Sequence, residues 1–195
     1  MKLRHLCPLG AGALLVGCSA PAPAPLPPPT TTATTATKAE VPHGPYISLR
    51  ETDAAMGLRA TPILLANCGS DPVTLNGYPA LRVLDQDHKP LDVTVINGSD
   101  SVASVPNLGN PPTAVTLAPG DEAIATVLWK NTVTDANVVA TSGTYFDIAP
   151  ATGQPWQTRE PHGPIDVGNT GKVGVSPWAP SKDKGDCHGA DAEYS

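Results

Sequence analysis

A few groups of side chains in this 195-residue chain are spaced so that they could do chemistry. Ser181-Lys182-Asp183-Lys184 has the S-x-x-K spacing in which a lysine activates a serine nucleophile. That reaction needs the serine at a helix start and companion Ser-Asp-Asn and Lys-Thr-Gly elements, and the sequence contains neither element. Asp85, Asp87 and His88 bring two carboxylates and an imidazole into one short stretch. The glycine and glutamate of a calcium loop do not follow, so a solvated β-turn is the expectation. Asp183, Asp186, His188, Asp191 and Glu193 gather more oxygens near the end of the chain, where a polar tail would lack the fixed second shell of a metal site. His43 and His162 each open a His-Gly-Pro triplet, which is turn composition. There is no G-x-S-x-G elbow, no phosphate-binding glycine loop and no H-E-x-x-H. The sequence therefore reads as that of a non-enzyme without metal or cofactor.

Cysteine offers sharper signals. Lys2, Arg4 and His5 precede an apolar run from Leu6 to Val16, far shorter than the ~20 residues of a membrane-spanning helix but suited to a signal peptide. The run ends in Leu15-Val16-Gly17-Cys18, which resembles the lipobox of bacterial lipoprotein signals. That resemblance implies cleavage before Cys18 and a diacylglyceryl group on its thiol, with each buried methylene contributing ~0.8 kcal/mol to membrane anchoring. Residues 1–17 are then the signal. Residues 18–44 are the lipidated cysteine and a Pro/Ala/Thr-rich spacer, too poor in large apolar residues to form a core and expected to be disordered. Losing Lys2 and Arg4 takes the net charge from −6 to −8, which gives no cationic field for nucleic acid and is repelled by anionic headgroups. Cys7 leaves with the signal, so Cys68 and Cys187 remain, and outside the cytoplasm counting favours a disulfide between them over two free thiols.

These residues need a scaffold. With 23 prolines and 18 glycines, few windows can hold a long helix, which excludes coiled coils and helical bundles. Short apolar runs alternate with turn signals from Pro45 to Pro180, the spacing of a β-sandwich or barrel. Strands are expected at Ile47 to Glu51, Ile63 to Ala66, Val73 to Leu75, Leu81 to Leu84, Val93 to Ile96 and Val115 to Leu117. Others follow at Thr144 to Ala149, Ile165 to Val167 and Lys172 to Val175. Glu122 to Lys130 is the longest and is apolar on both faces, as a central strand should be. Asn97 to Pro112 reads as a long, mobile loop. Residues 181–195 read as a polar tail.

The run Ile63 to Pro79, including Asn67-Cys68-Gly69-Ser70-Asp71-Pro72 and Gly77-Tyr78-Pro79, is joined by Leu117-Ala118-Pro119-Gly120, the strand ending in Trp129, and Val175-Ser176-Pro177-Trp178. Together these resemble the actinobacterial secreted family called domain of unknown function 4232, over roughly Pro45 to Trp178. The resemblance implies a small extracytoplasmic β-sandwich, often lipid-anchored, with no established activity. Members often carry a cysteine near Val73; this chain has Cys68 five residues earlier, so the family's bridges do not transfer.

The expected architecture is thus an all-β, immunoglobulin-like antiparallel β-sandwich over residues 45–180, displayed outside the cytoplasmic membrane and held there through Cys18. Its expected role is that of a non-catalytic binding or accessory module for an envelope protein or glycan. A glycan-acting enzyme with an unrecognised site and a passive coat protein are the rivals. Trp129 is expected in the core, Trp156 lies in a polar segment and is left open between surface and packing, and Tyr78 is either a packing anchor or a rim contact. Trp156 and Tyr78 are the candidate binding residues.

Overall fold

The computed structural model describes residues 43–187. The expected signal, Cys18, nearly all of the spacer, and His188, Asp191 and Glu193 lie outside the described residues.

Two ten-residue strands organise the molecule: β3 (Leu58–Asn67) and β8 (Asp121–Lys130) pair antiparallel from Leu58↔Lys130 to Ala66↔Glu122. Alternation places Ala123, Ala125, Val127 and Trp129 of β8 in the core, while Leu128 on the opposite face is also fully buried. This is the two-sided burial expected of a central strand. On one side β3 is flanked by β1 (Pro45–Leu49) and β2 (Asp53–Ala55). Beyond β8 come β13 (Lys172–Val175), β6 (Thr94–Asn97) and β14 (Ala179–Lys184), making a seven-stranded sheet.

A second sheet has three strands, β11 (Gln157–Arg159), β10 (Tyr145–Ala149) and β5 (Ala80–Leu84). Two short ladders complete the set: β4 (Val73–Leu75) with β7 (Val115–Leu117), and β12 (Ile165–Gly168) with β9 (Thr141–Gly143). Ile63, Leu65 and Val127 from the large sheet pool with Val83, Phe146 and Ile148 from the small one in a single hydrophobic cluster. Trp129 meets Phe146 edge to face, with ring centroids 5.8 Å apart, which joins the two sheets directly. The described chain is all-β, with no helix among its residues, and is arranged as a sandwich.

Side chains also close an edge. The Ile47 amide donates to Gln157 Oε1 at 3.0 Å, Gln157 Nε2 donates to the Pro45 carbonyl at 2.9 Å, and Arg159 Nε donates to the Ile47 carbonyl at 2.5 Å. The free edge of β1 is thereby satisfied by β11, which blunts a site for stray strand pairing.

Several expectations need correction. The sandwich is not wholly antiparallel, because β13 pairs with β6 in parallel. Arg50 and Glu51 fall outside β1, and β2, β9 and β11, each three residues long, were not expected. The tail drawn from residue 181 begins as strand, since β14 runs to Lys184. Polar residues suffice there because ladder bonds use the main chain, and an edge strand rich in Lys and Asp resists aggregation. The stretch after Asn97 has no strand up to β7, as expected of a loop; at its start Ser99 is fully buried, and the Val102 and Ala103 amides both donate to the Ser99 carbonyl.

Cys68 and Cys187 form a disulfide across a sequence separation of 119, their Cα atoms 5.5 Å apart. Beside it, buried Asn67 donates to the Asp71 and Leu117 carbonyls and accepts from the Gly69 amide. One side chain thus holds the Asn67-to-Pro72 turn and leaves none of its own polar capacity stranded.

Candidate functional site

The second sheet carries a row of polar residues on its wet face. Register sets Asp147 of β10 opposite Arg82 of β5 on one side and opposite Thr158 of β11 on the other. Arg82 and Asp147 are each flanked by apolar residues that face the core, as in Leu81-Arg82-Val83 and Phe146-Asp147-Ile148, so period-2 alternation turns these two to the other face. Arg82 and Asp147 make a close ion pair in which the carboxylate side chain is only 9% exposed, and Thr158 Oγ1 donates to Asp147 Oδ1 at 3.1 Å. The guanidinium, held at its end by Asp147, lies 3.9 Å from the centroid of the Trp156 ring. A cation–π contact at such a wet position contributes ~0.5–1 kcal/mol, which biases the orientation of an exposed ring.

Trp156 is 40% exposed, whereas Trp129 and Trp178 are buried. Together with Tyr78 and Arg82 it lines a depression of about 650 Å³ between β5 and β6, with Asn76, Asn97 and Thr152 at exposed positions around it. The two residues singled out from the sequence, 78 positions apart in number, therefore meet at one site.

Buried Trp178 ties the walls of this depression together. Its amide donates to the Gly77 carbonyl at 3.0 Å, holding the turn that carries Tyr78. Its indole Nε1 donates to the Pro150 carbonyl at 2.8 Å, holding the start of the loop that leads to Trp156. The sequence motifs Gly77-Tyr78-Pro79 and Ser176-Pro177-Trp178 are thus in direct contact. Sequence reasoning missed Arg82, Asp147 and Trp178 as site residues. A lone charge inside each alternating strand was the available signal for the first two; no local signal pointed to the third.

The other candidate groups are engaged elsewhere. Asp85 Oδ1 accepts from the Asp87 and Lys89 amides at 2.8 and 2.9 Å, so this cluster is a turn held by its own carboxylate. His88 stacks on Tyr145 with centroids 4.3 Å apart. Asp183 pairs with Arg50 at 2.9 Å, Ser181 Oγ accepts from the Asp183 amide, and Lys184 pairs with Asp121 at 2.5 Å. The S-x-x-K residues sit on β14, where Ser181, Asp183 and Lys184 are taken up by these contacts. The Lys184 hydrogen bond and the Ala118 amide hold the Asp121 carboxyl below the usual carboxylate range. His43 and His162 are both exposed, and neighbouring Gly163 closes a turn onto Pro161.

A polar knot ties the far end of the sandwich. Asp166 accepts from Trp129 Nε1, Asn131 Nδ2 and Arg59, each at 3.0 Å. Burial works against its ionised form, yet the Trp129 and Asn131 hydrogen bonds and the Arg59 charge together outweigh it and hold the carboxyl below its ordinary value. This knot secures the core tryptophan.

The family sequence model described as Domain of unknown function (DUF4232) matches residues 42–179. No curated protein and no solved structure matches the chain.

Proposed function

The chain belongs to the family of domain of unknown function DUF4232, and on that premise we propose that it is a lipid-anchored protein of the cell envelope whose sandwich is a non-catalytic binding module. The observation that carries the reading is the meeting of Tyr78 and Trp156 at one depression, the tryptophan half-exposed and its ring oriented by Arg82. A tryptophan left in water loses the transfer free energy its burial would supply, and a fold that also biases its ring's orientation is organised for contact. The lipobox at Leu15-Val16-Gly17-Cys18 and the Pro/Ala/Thr-rich tract after it support an anchor followed by a spacer, with the module outside the cytoplasmic membrane.

Retention on an envelope preparation stripped of lipid by detergent, so that the acyl anchor has nothing to hold, tests the binding role. The wild-type chain should be held saturably, and Trp156→Ala should release it. Equal retention of both proteins would favour a passive coat instead.

A further inference from the structure

Resting on the binding-module reading, we propose that the Trp156 depression takes a neutral saccharide, one sugar ring lying against the indole and its hydroxyls meeting the surrounding amides. The charge pattern comes first. Arg82 is the one charged side chain in the lining, and its guanidinium is already matched by Asp147, which is itself hydrogen-bonded by Thr158. An anionic ligand would have to compete with a nearly buried carboxylate for that arginine, and a cationic one would face the arginine itself.

The shape and polarity of the site point the same way. Its volume of about 650 Å³ is that of a small-molecule site, within the ~300–1,000 Å³ range such sites occupy. Asn76, Asn97 and Thr152 offer carboxamides and a hydroxyl, groups that both donate and accept, as a sugar hydroxyl requires. A pyranose ring presents a flat face of C–H bonds and an equatorial rim of hydroxyls, which complements an indole bordered by such groups. A protein partner would call for a wider apolar surface. Among the described residues the other exposed large hydrophobics, Met56, Val133, Val138 and Val139, do not line this depression.

The full chain, ¹⁵N-labelled in detergent micelles, is titrated separately with cellotetraose and with chitotetraose while its indole N–H resonances are followed. Trp129 and Trp178, whose indoles are bonded to Asp166 and Pro150, serve as internal references. The expected result is a saturable shift of the Trp156 resonance with at least one probe, the other two staying still. Trp156→Ala should weaken binding at least about tenfold with the reference resonances in place, and Trp156→Phe should keep part of the affinity. No movement of the Trp156 resonance at millimolar concentration of either sugar overturns the saccharide assignment. If Trp156-dependent envelope retention persists in that case, the binding-module reading stands and only the ligand class falls. If that retention is absent too, the binding-module reading falls with it.

Discussion

Arg82 stands between two demands, its charge satisfied by Asp147 and its flat face given to Trp156. Removing the ring should therefore affect binding while leaving the fold in place. Trp156→Ala should cost about 1–2 kcal/mol in chemical denaturation, because the residue is already 40% exposed and loses only partial burial and one exposed cation–π contact. Trp129→Ala should cost about 3–5 kcal/mol, since it empties the centre of the sandwich and strands the Asp166 knot. Asp166 adds a pH dependence. Its folded carboxyl titrates below the usual value, so its stabilisation is complete above pH ~4 and is lost as pH falls through the folded value. Thermal melts should show a shallower acid limb for Asp166→Asn than for wild type. Asp121, lowered in the same direction, would keep the loss from vanishing altogether.

At the level of elements, the depression depends on segments that are distant in sequence and brought together by one buried side chain. Trp178→Phe keeps the apolar bulk and the amide bond to Gly77 but deletes the indole bond to Pro150. It should lower affinity for whatever the Trp156 face binds while leaving the contacts of the Tyr78 turn in place, a split that two-dimensional NMR can read residue by residue. Strand ends are equally constrained. Gly168, at the end of β12, has φ +65, and a Cβ there would come within 2.3 Å of the Thr132 carbonyl oxygen. Gly168→Ala should destabilise by roughly 1–3 kcal/mol, through left-handed backbone and a backbone clash that no rotamer relieves. The disulfide fastens β14 from the other end. Closing a loop of this length stabilises by about 5 kcal/mol in the chain-entropy treatment and nearer 2–4 in practice. Reduction should lower the melting temperature and raise amide exchange first at Gly185, whose N–H is bonded to the Gly120 carbonyl.

For the whole molecule, the proposal of an anchored module rests on Cys18 being the one covalent hold on the membrane. Cys18→Ser should move the protein from the membrane fraction to the soluble fraction, with the melting temperature of the sandwich unchanged. Under that proposal cleavage would leave a net charge of −8, which argues the same way, for an acidic domain gains nothing from an anionic lipid surface. Raising the salt concentration should therefore leave membrane retention of the wild type intact, as expected for a hydrophobic anchor and not for a polybasic patch.

The sequence by itself determined what depends on local pattern. Alternation in β8 and β5, the turn chemistry after Asn67 and the all-β class follow from residues near one another in the chain, and the family from short motifs read in order along it. The Cys68–Cys187 pair was legible for a different reason: setting aside Cys7 for the expected signal and Cys18 for the expected lipid left two cysteines. β2, β9 and β11 escaped detection because Asp-Ala-Ala, Thr-Ser-Gly and Gln-Thr-Arg lack the large apolar residues that marked the equally short β4 and β7, and β14 escaped because a charged edge strand looks like a tail. Only the tertiary structure could place Trp156 beside Tyr78 and Arg82, with Trp178 beneath as the shared tie. Those neighbours are set by strand register and sheet packing, which join residues far apart in sequence, and no local periodicity encodes such a pairing.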